Sequence, residues 1–128
     1  QLEKLPAGNL RRAELTQRYR SRLTGTSVMI PFDAQPETTE SVYHILPVLL
    51  PQGADRVVII GALKKKGIQS SIHYPPFWNF TAYKGQFSPN DSPVTAEICR
   101  RQLTLPLFPT MTDEEVDQVT SALIEALR

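Results

Sequence analysis

The chain has 128 residues, 41% of them hydrophobic, which suffices for one domain with a modest core and argues against disorder throughout. The net charge of +1 supplies no global field for nucleic acid or membrane, and no apolar run approaches the length of a membrane span. Cys99 is the single cysteine, so an intramolecular disulfide is excluded and a reducing, cytoplasmic setting is expected. No signal-peptide pattern opens the chain, and a start at Gln1 rather than methionine leads us to expect a portion removed upstream.

Asn9 is a plausible cap for a first helix running to about Leu23, in which Leu15, Tyr19 and Leu23 recur every four residues as one apolar stripe. Arg11, Arg12, Arg18, Arg20 and Arg22 crowd this helix. The plain reading is a solvated face; nucleic-acid binding ranks low without a net basic surface. Residues 25–40 carry few apolar residues in any period and read as an ordered loop or a short extended piece. Ser41 to Leu50 is β-rich and almost continuously apolar, with Pro47 interrupting the strand or marking an edge. The β-branched run Val57 to Ile60 is compatible with strand, but Lys64, Lys65 and Lys66 before Gly67 resemble a helix C-terminus. A helix over about 55–66 is therefore expected.

Ile68 to Tyr74 alternates as a strand does. Ile68, Ile72 and Tyr74 fall on the core face, and Gln69, Ser71 and His73 on the polar one. Ser92–Pro93 opens a short helix to about Gln102, and Leu103 to Phe108 reads as a short strand carrying Pro106. Thr112 to Glu115 forms a capping box, with Asp113 and Glu114 adding charge at the positive end of the helix dipole. Val116, Val119, Leu123 and Leu127 give the last helix its apolar stripe. Taken together, residues 1–128 read as one α+β domain. Its small sheet, antiparallel or mixed, would have about three strands, with helices mainly on one face.

The chemistry-bearing candidates are few. There is no Gly-rich phosphate loop, no Cys/His metal spacing and no G-x-S-x-G. His44 falls within an apolar strand and reads as a core histidine. Cys99, beside Arg100 and Arg101, reads as a buried inert thiol in preference to a reactive one. His73 ends a strand on its polar face and opens into a long loop, where sites concentrate; from position alone a structural role is equally acceptable. From Pro75 to about Asp91 that loop holds Phe77, Trp78, Phe80, Tyr83 and Phe87, five of the ten aromatics. Such a surface either folds back on its own sheet or packs on a partner.

The runs GIQSSIHYPPFWNFTAY and LTLPLFPTMTDEEVDQV resemble the carboxy-terminal small domain of DegT/DnrJ/StrS-type aminotransferases. RRAELTQRYRSRL is similar to that domain's opening helix, and SVYHILPVLLP to its first strand. The resemblance is collinear and covers nearly the whole chain. It implies the small domain of a pyridoxal-phosphate enzyme that aminates a keto-sugar nucleotide with an amino-acid donor such as glutamate. It further implies a homodimer with active sites near the subunit interface. The larger amino-terminal domain would supply the cofactor lysine, the acid facing the pyridine nitrogen and most phosphate contacts. None of Lys4, Lys64, Lys65, Lys66 or Lys84 matches the family's lysine, so no catalytic or cofactor-binding residue is expected here, and no amino transfer by this chain alone. The H-Y-P-P segment lies at the mouth of the family's site, which makes His73 and Tyr74 substrate-side candidates. The family often carries a second histidine two residues after the paired prolines; here that residue is Trp78, suited to stacking on a base or sugar but not to moving protons. A stand-alone ligand- or protein-binding module that keeps the fold without catalysis is the alternative.

Overall fold

A computed structural model describes residues 2–32 and 41–128. Residues 33–40 of the expected 25–40 loop lie outside the described residues. Among the described residues, four α-helices and two strands follow in chain order: α1 (Leu5–Leu23), β1 (Leu46–Leu49), α2 (Arg56–Lys65), α3 (Pro93–Arg101), β2 (Gln102–Leu105) and α4 (Asp113–Ala126).

α1 begins earlier than Asn9, because Pro6 sits in its first turn, where the missing N–H is no loss. Asn9 lies inside the helix and accepts a hydrogen bond from Arg12 through its side chain. The expected stripe holds: Leu15, Tyr19 and Leu23 are all buried. α2 forms as expected. The Asp55 carboxylate caps it, accepting from the backbone N–H of Val57 and Val58 at 2.9 and 3.2 Å, and Gly67 follows it at φ +76°. The valines that resembled a strand are exposed, and Ile59 and Leu63 face the core. At α4 the capping box is complete, with Thr112 Oγ1 accepting from Glu115 N–H and Glu115 Oε2 accepting from Thr112 N–H.

Among the described residues the sheet has two strands, where about three were expected. β1 and β2 pair antiparallel, with Leu46 opposite Leu105 and Val48 opposite Leu103. Each outer edge receives one bridge: Met29 pairs with Leu49, and Ser71 with Thr104. The expected strand over 68–74 therefore shrinks to a single bridge at Ser71, and β1 starts at Leu46 instead of Ser41. β2 ends at Leu105, before Pro106, which cannot donate to a ladder. Pro47 is tolerated for a geometric reason. Leu49 N–H donates outward to Met29 O at 2.7 Å, so the Pro47 nitrogen, two residues away, faces that same side and not β2.

Leu46, Val48, Leu50, Leu103 and Leu105 join Tyr19, Leu63, Met111, Val116 and Leu123 in one core beneath the helices. α4 packs against both α1 and α2. Leu127 is partly buried against the same core. The two charge clusters noted in the sequence meet along the α1–α4 seam. Arg18 grips Asp117 with two bonds of 2.7 and 2.8 Å and reaches Asp113 at 3.0 Å. Arg22 also bonds Asp117, and Arg11 bonds Asp113 at 2.8 Å. For Arg11, Arg18 and Arg22, then, the plain solvated-face reading gives way to pairing with α4. Among the described residues, no helix is long and apolar enough to cross a membrane.

Candidate active-site cleft

The opposite face of β2 carries Gln102 and Thr104, both buried. Strand alternation puts them there, since Leu103 and Leu105 take the core side. Ser71 lies directly across from Thr104, with backbone bonds of 2.8 and 3.1 Å in both directions. This bridge brings His73 alongside: its Nδ1 lies 3.1 Å from Thr104 Oγ1 and 3.3 Å from Ser71 Oγ. Gln102 Nε2 in turn donates to Thr104 Oγ1 at 2.7 Å. His73 is thus half-buried at the end of a polar chain leading out of the protein, as its place on the polar face predicted.

A cleft of about 480 Å³ opens beside it, between residues 67–73, the segment after β2 and the side of α4. Its floor is apolar, from Ile68, Leu105, Met111 and Val119; Ser71, His73, Thr104 and Glu115 supply polar groups. His44 lines the same cleft and is exposed, which corrects its reading as a core histidine: the strand starts two residues later and leaves it in the approach. Tyr19 anchors the far wall. Its hydroxyl donates to Pro106 O at 2.9 Å, and burial raises the phenol pKa well above its ordinary value.

Tyr74 follows His73 through a cis peptide bond and is 71% exposed, so it leaves the core set to which alternation assigned it. Its ring meets His73 edge to face at 5.1 Å. Trp78 lies farther along, half-buried, with its ring against Phe77 at 5.3 Å; neither Tyr74 nor Trp78 lines the cleft. Phe77 also meets Tyr83 at 5.7 Å and Phe87 at 5.1 Å. Trp78, Tyr83 and Phe87 therefore gather around Phe77, and Phe77, Phe80, Tyr83 and Phe87 stay partly exposed. Cys99 is half-buried, and its carbonyl accepts from Arg56.

The sequence reading missed Thr104 and Gln102. The signal was available in QLTL, where two polar residues alternate with two leucines and so must share the face that His73 occupies.

The described residues do not by themselves fit a pyridoxal phosphate. Lys4, Lys64, Lys65, Lys66 and Lys84 are all exposed, and Lys66 pairs with Glu125. An imine-forming lysine needs a desolvated setting or a neighbouring cation that lowers its pKa. No lysine or arginine lines the cleft, whose one carboxylate, Glu115, would repel a phosphate.

The model of the DegT/DnrJ/EryC1/StrS aminotransferase family matches residues 1–124. A protein of Streptococcus pneumoniae assigned as a sugar aminotransferase, solved in PMP form, is 32% identical with a TM-score of 0.89, over 98% of this chain and 32% of its own. Its PLP form superposes equally well, at a TM-score of 0.89. DesV of S. venezuelae, solved with a ketimine intermediate, is 30% identical with a TM-score of 0.84, over 99% of this chain and 34% of its own. A DegT/DnrJ/EryC1/StrS aminotransferase of Brucella abortus is 26% identical with a TM-score of 0.79, over 95% of this chain and 32% of its own. The chain thus spans about a third of the length of the solved structures it matches. With the family model matching residues 1–124 and the fold in agreement, the chain belongs to the DegT/DnrJ/EryC1/StrS aminotransferase family.

Proposed function

We propose that this chain is the substrate-side small domain of a pyridoxal-phosphate-dependent aminotransferase that aminates a keto-sugar nucleotide, with glutamate as donor. The observation that carries the reading is His73. It stands at a cleft with an apolar floor, fixed from behind by Thr104, where no lysine is at hand for covalent chemistry. Such a site binds and orients; it does not bond covalently. His73 offers its free ring nitrogen to a ligand oxygen, and Tyr74 adds an exposed phenol beside it. Trp78 lies farther out, where an aromatic face can stack on a base or sugar ring.

On this reading the cofactor and its lysine belong to a larger domain, the 128-residue chain alone transfers no amino group, and the working enzyme is a homodimer. The aromatic cluster around Phe77 is the surface that would meet that larger domain or the second subunit.

The test is an amination assay with glutamate and a panel of keto-sugar nucleotides, comparing this chain alone with the enzyme that contains it. The expected result is an amino-sugar nucleotide from the enzyme and none from the chain alone. No amination of any panel member by the enzyme overturns the sugar assignment, and turnover by the chain alone overturns its assignment as a substrate-side part.

A further inference from the structure

A neutral imidazole has one donor and one acceptor nitrogen, and the partner of one nitrogen decides what the other offers. At His73 that partner is Thr104. Gln102 Nε2–H donates to Thr104 Oγ1 at 2.7 Å, which leaves the threonine proton to be donated elsewhere. His73 Nδ1, 3.1 Å away, is placed to take it. Nδ1 would then be the acceptor, with the ring proton on Nε2. Thr104 is 4% exposed and Gln102 6%, so little of either side chain meets solvent. Among the described residues no group bonds His73 Nε2, the atom left for a ligand.

We propose that Thr104 and Gln102 are positioning residues that hold His73 as its Nε2–H tautomer, so that it presents a donor to an acceptor oxygen of the sugar ligand. The role toward the ligand rests on the substrate-side reading of His73; the tautomer does not. With the ring proton on Nδ1 instead, a ligand oxygen would meet a lone pair, and the contact would repel.

Two readouts separate the relay from the reading beneath it. The chain has only two histidines, so nitrogen NMR of histidine-labelled protein is assigned with a single His44→Gln control. It is recorded about two pH units above the reference imidazole value. The relay predicts a protonated Nε2 and an unprotonated Nδ1 in the parent chain. Thr104→Val should collapse the two shifts toward an averaged pair, Thr104→Ser should restore them, and Ser71→Ala should leave them in place. If Thr104→Val loses the dispersed amide spectrum of a folded chain, Gln102→Met reports the same effect from the other end. An Nδ1–H parent, or shifts that neither variant moves, overturns the relay.

In the enzyme containing this chain, Thr104→Val should raise KM for the sugar nucleotide about threefold to tenfold, the size of one neutral hydrogen bond, with Thr104→Ser near the parent value. If His73→Asn raises that KM while the Thr104 variants change neither KM nor tautomer, the relay falls and the substrate-side reading survives. If the tautomer shifts but no His73 or Thr104 variant moves KM, the relay stands as structure and its role toward the sugar is overturned.

Discussion

At the residue scale, the cleft depends on a few polar atoms that the core holds in place. Tyr19 is fully buried, yet its hydroxyl reaches Pro106 O, just past the end of β2 on the cleft wall. A neutral hydrogen bond to a part-buried carbonyl contributes about 0.5–1.5 kcal/mol. Tyr19→Phe, which keeps the ring and removes only the hydroxyl, should therefore lower unfolding stability by about that amount, measured from urea midpoints at unchanged slope. A loss within error of zero would mean that water or another donor serves Pro106. Alternation set His73 on the polar face, and the H-Y-P-P resemblance then made it a substrate-side candidate. Tyr74 was misassigned by alternation. Period-2 counting holds only while the chain stays extended, and pairing stops at Ser71.

At the element scale, the helices were more legible than the sheet. Caps and end signals are local: Asp55 before α2, Gly67 after it and Thr112 with Glu115 at α4 each act within a few residues. Strand limits depend on which segment lies opposite. Ser41 to Leu50 is apolar along its length, but only the part facing β2 pairs. The α1–α4 seam shows the same split. The basic and acidic clusters were visible separately, whereas their pairing is a tertiary fact.

That pairing has a pH signature. Bonds from Arg18, then Arg22, hold the Asp117 carboxyl pKa well below the ordinary carboxylate range. A group whose folded pKa is depressed contributes stability above its unfolded value, near pH 4, and loses it as the pH falls further. Asp117→Asn should therefore be less stable than the parent at pH 7, and the gap should narrow steadily as the pH falls from about 5 to 2. Urea midpoints across that range measure it. A gap that ignores pH would show that the bonds at Asp117 matter only as neutral contacts.

At the scale of the whole molecule, one core of helices over a two-stranded sheet presents a polar face and an aromatic loop outward. The composition showed only that such a core was possible. The family resemblance located the site at H-Y-P-P, and the geometry then supplied what resemblance alone left out: the Thr104 and Gln102 support, the nearby His44 and a cleft lined by no lysine or arginine. The aromatic loop stayed ambiguous in sequence because its rings satisfy one another around Phe77, a local arrangement that no periodicity encodes.

The proposed hold of His73 on a sugar nucleotide is tested most directly by a crystal structure of the enzyme containing this chain with its keto-sugar nucleotide bound. A ligand oxygen is expected within about 3.2 Å of His73 Nε2, at hydrogen-bond distance. A ligand seated with no atom near His73 or its cleft would contradict it.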